Sequence, residues 1–384
     1  MTESRGSFKI MAGALLQAIT RILPVVPAKH QRDVLKCFKF ICSVNPSKLT
    51  IQASDMETYI SINLTQSLEV DRAGSFLVSA ADLAELLKST SPEEELNFLV
   101  QNSSVTVTLV DPKNPTPEET GGVAASKFVW GLLDVEDFPP FASLPEKQIC
   151  KITLEGLVFS TALSQVIFAT AEKNHPKYAY TALCLVMEKA NLSLIGSDSR
   201  RVSLLDVVIE GPENPIQILV PPESAKHAAR IFEDQTFTLA LGNNVLCAYD
   251  ESAYLVMPTI EGNFPAVKKY IPKYPYNLSL IYKEFLPCLK KAMLAADAHS
   301  TLRIELSPNM MHLSTSTRER RREARSQIPV TYSGPSLKTA VDGDNLLQAL
   351  KAVKCDLDMH FDVKGGPLLF TKDNYCYMLS PKEI

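Results

Sequence analysis

The sequence has no run of 18 or more apolar residues, the length that a membrane-spanning helix needs. Its first residues, MTESRGSFKIMAG, do not have the basic, apolar and small-residue segments of a secretory signal. Hydrophobic residues nevertheless make up 46% of the chain, which is enough for ordinary buried cores. These features predict a soluble protein of the cytoplasm.

Catalytic and metal-binding signatures are missing as well. The chain has no GxxxxGKS/T, HExxH or GxSxG motif, and its 15 glycines leave little room for a phosphate-binding loop. The six histidines are dispersed without the spacing of metal ligands: His30, His175, His227, His299, His312 and His360. We therefore expect no catalytic residue, no metal and no cofactor, and we predict that the protein is not an enzyme.

The eight cysteines form no CxxC pair and fall mostly inside apolar strand or helix patterns. This distribution favours reduced core residues over a disulfide framework or a metal site. The net charge of −4 argues against a protein that coats nucleic acid non-specifically, but it is compatible with local basic surfaces.

Three stretches of the chain are similar to one another. They are LVSAADLAELLKST from Leu77, LVPPESAKHAARIF from Leu219 and AVDGDNLLQALKAV from Ala340. In each, a short apolar strand end leads through a turn into a helix with apolar residues at i, i+3, i+4 and i+7. The spacings are about 140 and 120 residues, far longer than those of solenoid repeats. The repeated unit is therefore a whole domain, and we predict three domains, at residues 1–147, 148–273 and 274–384.

Each predicted domain opens with an amphipathic helix, at residues 8–23, 154–171 and 282–296. The links between strands, such as VNPSK, EKAN and SPNM, are too short for parallel crossovers. We therefore predict an α+β fold in which each domain packs two helices on antiparallel sheets.

Two further motifs recur in step with the repeat. A strand ends in Ser-Asp in LTIQASDME and in LSLIGSDSRR, and Phe-Pro follows a polar residue in DVEDFPPF and in IEGNFPAV. Together with VTYSG and a C-terminal YMLSPKEI, this ordered set resembles the bacterial DNA polymerase III beta subunit, the sliding clamp family. The resemblance covers essentially the whole chain.

The resemblance implies a DNA sliding clamp, the polymerase processivity factor of bacterial DNA replication. Two three-domain chains would join head to tail as a C2 homodimeric ring around duplex DNA. Simple arithmetic agrees, because six domains of about 30 Å would enclose a hole of roughly 27 Å, wider than a duplex of about 20 Å. The expected partners are double-stranded DNA, bound without regard to sequence, and the replicative polymerase, clamp-loader and repair proteins. The expected location is the bacterial cytoplasm, at the nucleoid.

By the same resemblance, DNA-facing residues are expected in loops that follow the first helix of a domain. In the segment AEKNHPKYAY they are Asn174, Lys177 and Tyr178, and in PAKHQRD they are Lys29, His30 and Arg32. Such basic, polar and aromatic side chains can touch phosphate and sugar without reading bases. The alternative is that they are ordinary solvated loop residues.

The family also binds short linear peptides in a cleft between its middle and last domains. The matching positions are Tyr180, Ser197, Ser199, Arg200, Arg201, Val202, Pro265, Lys269, Tyr270, Pro367, Met378, Ser380, Pro381 and Lys382. Apolar walls with basic and hydroxyl groups at the rim suit a peptide groove. The tail departs from the family pattern at Ser380 and Lys382, where the family usually has methionines. The alternative is that these residues only seal a joint between domains.

The segment STSTRERRREARSQIPV, residues 314–330, is predicted to be one strand and carries five arginines against two glutamates. In the family, the corresponding strand is typically acidic and forms the dimer edge against a basic first domain. Here the first domain is acidic instead, at Asp82, Glu85, Glu93, Glu94, Glu95, Glu118 and Glu119. We therefore predict a charge-inverted dimer interface, in which Arg320, Arg322 and Arg325 face first-domain acids such as Asp82. Met293 and Leu294 would form the apolar part of this interface, and the competing interpretation is a nucleic-acid patch.

A second function is open at this point. A diverged protein of the clamp fold could bind partner proteins without encircling DNA, and an enzyme acting on nucleotides is a more distant third. Retention on circular DNA, and release when the circle is cut, would separate the first two.

Overall fold

The computed structural model describes residues 6–101, 103–110, 126–141, 147–317 and 322–383. Within them lie six α-helices: α1 Ala12–Ile22, α2 Ala80–Ser89, α3 Gly156–Ser164, α4 Pro222–Ile231, α5 Tyr282–Ala292 and α6 Gly343–Val353. None of these helices is long and apolar enough to cross a membrane. The described residues also contain no group of three or more His, Cys, Asp or Glu that could hold a metal ion.

The strands up to α4 are β1 Ser7–Met11, β2 Cys37–Ser43, β3 Lys48–Ser54, β4 Tyr59–Leu64, β5 Leu68–Arg72, β6 Gly74–Ser79, β7 Glu95–Gln101, β8 Ser104–Val110, β9 Lys127–Gly131, β10 Cys150–Glu155, β11 Leu183–Glu188, β12 Asn191–Ser197, β13 Arg201–Val208 and β14 Ile216–Val220. Those that follow are β15 Thr236–Leu241, β16 Val245–Tyr249, β17 Ala253–Pro258, β18 Tyr276–Leu280, β19 Thr301–Ser307, β20 Met310–Thr317, β21 Arg322–Pro329, β22 Leu337–Asp342, β23 Leu357–Phe361, β24 Leu368–Lys372 and β25 Tyr375–Leu379.

The elements form six copies of one repeat, which consists of a strand, a helix and three strands. The repeats are β1-α1-β2-β3-β4, β6-α2-β7-β8-β9, β10-α3-β11-β12-β13, β14-α4-β15-β16-β17, β18-α5-β19-β20-β21 and β22-α6-β23-β24-β25, and β5 lies between the first two. In every repeat, the first strand joins a different sheet from the three strands that follow its helix. We call the final strand of each repeat its last strand.

Four antiparallel sheets result. Sheet A has the order β5-β1-β7-β8-β9, and sheet B has the order β10-β15-β16-β17-β4-β3-β2-β6. Sheet C has the order β14-β11-β12-β13-β25-β24-β23-β18, and sheet D has the order β21-β20-β19-β22. The predicted α+β class with antiparallel sheets and two helices for each predicted domain is confirmed.

The chain divides into two compact units. Unit 1 consists of Met1–Thr153 and His227–Pro258, and unit 2 consists of Leu154–Lys226 and Thr259–Ile384. Unit 1 contains sheets A and B, and unit 2 contains sheets C and D. The predicted middle domain thus contributes four strands to each eight-stranded sheet, β10 and β15 to β17 in sheet B and β11 to β14 in sheet C. The boundaries predicted at residues 147 and 273 stay a prediction.

Eight-stranded sheets B and C each form when two last strands pair. In sheet B, β4 pairs with β17, and in sheet C, β13 pairs with β25. We call these two pairings the closed junctions. In sheet B, the helices of the two repeats are also linked, because Arg21 Nε on α1 donates to the carbonyl of Ile231 on α4 at 3.1 Å. The last strands β9 and β21 lie instead at the edges of sheets A and D, and we call them the open edges.

The helices predicted at the start of each domain are shorter than expected. Residues 8–11 lie in strand β1, and α1 begins only at Ala12. Phe8 and Ile10 are buried in that strand, and their spacing continued the helical pattern of the sequence. Likewise, α3 ends at Ser164 and α5 at Ala292, and each is followed by a turn of 3-10 helix. Apolar spacing alone does not mark these boundaries, because the strand and the helix bury residues on the same side.

The predicted core position of most cysteines agrees with the structure, and the rings of the two Phe-Pro motifs are buried as well. Phe138 and Phe264 each pack into a hydrophobic cluster. All eight cysteines are free, and six of them are buried. Burial raises the pKa of Cys42 and of Cys184 to about 12, so both are neutral thiols at physiological pH.

Candidate functional site

An apolar cluster in unit 2 brings together several of the predicted peptide-binding residues. Tyr180 and Val202 are buried in it with Phe264, and Met378 packs against it from the neighbouring strand. Val202 on β13 lies opposite Met378 on β25, and the rings of Tyr180 and Phe264 meet edge to face at 5.6 Å. Because Met378 is only partly buried, the cluster reaches the surface at this strand.

The Ser-Asp turn before β13 is built by its own side chains. Asp198 Oδ1 accepts from the backbone N–H groups of Arg200 at 2.9 Å and Arg201 at 3.0 Å. Ser197 is buried, and its hydroxyl donates to the Arg201 carbonyl at 2.8 Å. Ser199 has φ 75°, in the left-handed region that non-glycine residues seldom adopt. The turn thereby presents Ser199 and Arg200 to solvent.

The side chain of Arg201 points into unit 2 rather than to the cleft rim. Its guanidinium donates to Asp198 at 2.9 Å, to Gln348 Oε1 at 2.7 Å and to the Phe168 carbonyl at 2.9 Å, and it lies 5.5 Å from the Phe168 ring. Only 8% of Arg201 is exposed. The contacts with Gln348 and Phe168 join β13 to α6 and to the 3-10 turn after α3, so the Arg201 side chain links these elements within unit 2.

The C-terminal tail is tied to the same turn. The Ser380 N–H donates to the Arg200 carbonyl at 2.9 Å, and Pro381 bridges to Val341. Lys382 forms an ion pair with Asp342, the N-cap of α6, at 2.7 Å. Lys382 is therefore held against the helix start and is not a free cation at the rim.

The remaining cleft residues differ in exposure. Pro265, Lys269 and Tyr270 lie in or beside a 3-10 turn after Phe264, and 72% of Tyr270 is exposed. Pro367 is partly buried, and its carbonyl accepts from the Tyr274 hydroxyl at 2.7 Å. The structure thus provides an apolar floor with Arg200, Lys269 and Tyr270 as exposed groups beside it.

A separate pocket of about 520 Å³ also lies in unit 2, but it is not the predicted cleft. Leu157 and Val158 of α3, Val208 of β13 and the residues Lys372 and Tyr375 line part of it. None of the residues predicted for the peptide cleft contributes to its walls.

The two loops predicted to face DNA have the same local structure. The Arg32 N–H donates to His30 Nδ1 at 3.0 Å in unit 1, and the Lys177 N–H donates to His175 Nδ1 at 3.2 Å in unit 2. This repeated turn supports the alignment of the two segments. It exposes Lys29 and Arg32 in the first loop, and Lys173 and Lys177 are the exposed cationic residues of the second.

Asn174 and Tyr178 of the second loop are exposed too, and 62% of Tyr178 is accessible. Lys177 Nζ lies 5.8 Å from the Tyr180 ring, within range of a cation–π contact. Arg32 Nη2 donates to the Asp137 carbonyl at 2.9 Å, which leaves other guanidinium hydrogens available.

The predicted dimer-edge segment is not one strand. Residues 314–317 belong to β20 and residues 322–329 to β21, and the two strands pair with Thr317 opposite Arg322. The single strand predicted from the sequence is therefore wrong, although β21 does lie at the edge of sheet D. Arg320 lies outside the described residues.

Alternation along β21 separates its two described arginines. Ser326 faces α5, where its hydroxyl lies 3.0 Å from Cys288 Sγ. Arg322 shares that face with Ser326, because they are four residues apart, and Arg325 points to the opposite face. There Arg325 forms a 2.7 Å ion pair with Glu323, which raises the pKa of Arg325.

The other predicted interface residues lie on helices and turns. Asp82 is exposed in the first turn of α2. Leu294 is 79% exposed in the 3-10 turn after α5, whereas Met293 packs against the start of α6 at Gly343. Phe128 and Val129 on β9 were not identified from the sequence, although KFVWG is an apolar segment, and they are 37% and 58% exposed.

Comparisons with known proteins agree with this architecture. The family model described as DNA polymerase III beta subunit, N-terminal domain, matches residues 7–143. The chain is 21% identical to the beta sliding clamp of Haemophilus influenzae over 359 residues, which covers 91% of each protein. It is 22% identical to the beta sliding clamp of Rickettsia bellii, which covers 96% of this chain and 95% of that protein.

A solved structure has the same fold. The sliding clamp from Pseudomonas aeruginosa, DNA polymerase III subunit beta, bound to griselimycin, superposes with a TM-score of 0.88 at 18% identity, over 99% of this chain and 100% of that one. Together with the sequence matches over nearly the full length, these findings show that the chain has the fold of the sliding clamps and is similar to beta sliding clamps throughout, at a divergent level of identity.

Proposed function

We propose that the protein is a DNA sliding clamp, a ring of two copies joined head to tail around duplex DNA. The observation that carries this proposal is the pairing of the last strands. Within one chain, β4 pairs with β17 and β13 pairs with β25, whereas β9 and β21 have no such partner among the described residues. If β9 of one copy pairs with β21 of another, a closed junction forms by the same rule.

The two open edges are suited to such pairing. An exposed edge strand presents unpaired backbone groups that can pair with another chain. Phe128 and Val129 on β9, together with Leu294 near β21, expose apolar side chains that a second copy would cover. Two such junctions, each using a different edge of the same chain, close a ring with C2 symmetry.

The ring would contain six of the predicted domains, and the arithmetic of domain size leaves room for a duplex. The predicted domains at residues 1–147, 148–273 and 274–384 each contain two of the six repeats, which supports that division. The loops with Lys29, His30 and Arg32 and with Asn174, Lys177 and Tyr178 would make few, loose contacts with phosphates. Such contacts hold DNA without fixing the ring at one position.

The protein would act without catalysis, as an accessory subunit that tethers a replicative polymerase in the bacterial cytoplasm. Polymerase, clamp-loader and repair proteins would bind by short peptides on the apolar surface around Tyr180, Val202 and Met378. Arg200, Lys269 and Tyr270 would contact the peptide from its sides, since all three are exposed. Arg201 and Lys382 would support the site from within, through Gln348 and Asp342.

Retention on circular DNA tests this proposal. The protein is loaded onto a nicked plasmid with its clamp loader and ATP, and the plasmid is then linearised. A ring stays on the circle through gel filtration and is lost from the linear form. A Phe128→Asp variant is the matched control, because a charge on β9 prevents the junction, and it should be lost from both forms.

Equal retention on circular and linear DNA would contradict the proposal. A dimer that binds partner peptides but is never retained on circles would favour the second function, a clamp-fold protein that does not encircle DNA.

A further inference from the structure

The two closed junctions of the chain have the same register. In sheet B, Ile60 of β4 lies opposite Leu255 of β17. In sheet C, Ser203 of β13 lies opposite Tyr377 of β25. Ile60 and Ser203 are equivalent, since each comes six residues after the Ser of the Ser-Asp turn in its repeat. The repeat therefore fixes how two last strands align.

The position on β21 that corresponds to Ile60 and Ser203 is Ala324. The neighbouring strand pairs show this, because Ile51 lies opposite Ile62, and Leu194 lies opposite Leu205. On β20, the buried Leu313 lies opposite Ser326 in the same way. Ile60 and Ser203 each come two residues before the paired residue of their strand, and the residue two before Ser326 is Ala324.

The position on β9 that corresponds to Leu255 and Tyr377 is Phe128. Leu255 lies opposite Ala248, Tyr377 lies opposite Phe370, and Phe128 lies opposite Val107. Ala248, Phe370 and Val107 pair in turn with Leu239, Met359 and Phe98. Each of these last three is the second of the alternating buried residues on the first strand after the helix of its repeat. Transferring the register to two copies places Ala324 of one opposite Phe128 of the other.

This register places Arg322 where Arg201 lies in sheet C, two residues before the aligned position. Arg201 reaches Gln348 Oε1 on α6 at 2.7 Å, across the closed junction. Gln348 is the sixth residue of α6, after the N-cap Asp342. The sixth residue of α2, after the N-cap Ser79, is Glu85. In the transferred register, an arginine would thus meet a carboxylate at the open junction, where it meets an amide at the closed one.

Arg325 has a different environment in the same register. It lies on the opposite face of β21 from Arg322 and opposite Lys127 of the other copy. Its own partner is Glu323 of the same strand, at 2.7 Å. The arginine-rich edge therefore contributes to attraction through Arg322, and Arg325 does not add to it.

We propose that Arg322 of one copy and Glu85 of the other form the ion pair that closes each intersubunit junction and selects a second copy of this chain as partner. The inference rests on the head-to-tail pairing proposed above. Glu85 is exposed on α2, and Leu294 occupies the position of Phe168, whose carbonyl and ring hold Arg201. Leu294 would cover the pair as Phe168 covers Arg201. A clamp without a carboxylate at this position would leave Arg322 unpaired, which disfavours mixed rings.

Two single variants test the pair, Arg322→Glu and Glu85→Arg. Each homodimer would place like charges together at both junctions, and we expect its dissociation constant to rise at least about tenfold. Mixing the two variants forms a heterodimer in which one junction has the reversed pair and the other the native pair. The mixture should therefore dimerise about as tightly as the wild type. Sedimentation velocity measures dimerisation of the two variants and of their mixture. The fluorescence emission of Trp130 on β9, the single tryptophan, reports formation of the junction independently.

Arg325→Gln is the matched control on the same strand and should not weaken the dimer. The pairing is overturned if either charge reversal leaves the dimer unchanged, if the mixture fails to recover, or if Arg325→Gln weakens the dimer as much as Arg322→Glu. A wild-type chain that is monomeric at micromolar concentration would instead contradict the proposed ring itself. Circular dichroism of each variant identifies any that fails to fold.

Discussion

The closed junctions and the open edges are built from the same repeat, but equivalent side chains on their last strands are buried at the junctions and exposed at the edges. Leu255 on β17 is fully buried against β4, whereas Phe128, its equivalent on β9, is 37% exposed. Arg201 on β13 is 8% exposed and has three hydrogen-bonded partners, whereas Arg322, its equivalent on β21, is exposed. The difference is the one that the proposed ring requires, in which the open edges of one chain are covered by a second copy.

The largest effect should follow truncation at a closed junction. Leu255→Ala removes a fully buried side chain from sheet B and should lower the free energy of unfolding by about 2–5 kcal/mol. Phe128→Ala, at the equivalent open position, should lower the free energy of unfolding of the monomer by well under half of that amount. Its main effect should be to weaken dimerisation. Urea unfolding at nanomolar concentration, followed by fluorescence, measures the monomer. Equal losses would show that β9 is already covered within one chain.

Arg201 and Arg322, which occupy equivalent positions on β13 and β21, extend the comparison to polar groups. Arg201→Ala leaves the Gln348 amide and the Asp198 carboxylate without their shared partner, so unit 2 should lose about 2 kcal/mol. Arg322→Ala should leave monomer stability within about 0.5 kcal/mol, as for most surface substitutions. Denaturation curves at low protein concentration provide the measurement. A large loss for Arg322→Ala would mean that its side chain is bound within the monomer.

The reactivity of buried thiols should distinguish a sheet with a closed junction from an open edge without any substitution. Cys184 lies inside sheet C, and burial raises its pKa to about 12, so iodoacetamide should reach it only when unit 2 opens. Cys288 lies behind the open edge β21, against Ser326, and should react several times faster because edge strands open locally. Mass spectrometry of digested samples follows both sites. Raising the protein concentration should slow Cys288 alone, and protection of both thiols would argue against local opening at β21.

The smallest effect concerns Asp297, in the loop between α5 and β19 of sheet D. The N–H groups of Thr301 at 3.0 Å and His299 at 3.2 Å lower the pKa of its carboxyl. A lowered pKa in the folded state stabilises the fold above the unfolded pKa of about 4, and this contribution is lost as pH falls.

Asp297→Asn should therefore lower the melting temperature slightly at pH 7, by about 1–2 °C, and not at pH 3. Scanning calorimetry at both values checks this difference. A shift of equal size at pH 3 would assign the effect to geometry rather than charge.

The sequence was sufficient for the fold class, because the three copies from Leu77, Leu219 and Ala340 each contain a strand end, a turn and a helix that the structure confirms. The predicted start of the first helix was wrong because strand and helix bury residues with similar spacing, as at Phe8 and Ile10 before α1. The single strand predicted at residues 314–330 was wrong because the polar residues at the end of β20 and the start of β21 give no apolar pattern that marks a turn.

The candidate sites were predicted only in part. Resemblance indicated Tyr180, Val202 and Met378, which the structure brings to one cluster. It also indicated Arg201 and Lys382, whose side chains are held by partners far away in sequence, Gln348 and Asp342. Local patterns do not contain such pairings, because they depend on which last strands meet and in which register.

The division of the chain between the two units also sets an order for folding during synthesis. Unit 1 needs residues 227–258, and unit 2 needs both residues 154–226 and everything after residue 258. When residue 153 leaves the ribosome, sheet B still lacks its strands β15 to β17, so unit 1 cannot be complete. The strands β11 to β13 are made next and wait for β25 at the very end of the chain. Nascent strand edges thus stay unpaired for most of translation, and unpaired edges are the surfaces through which incomplete chains aggregate.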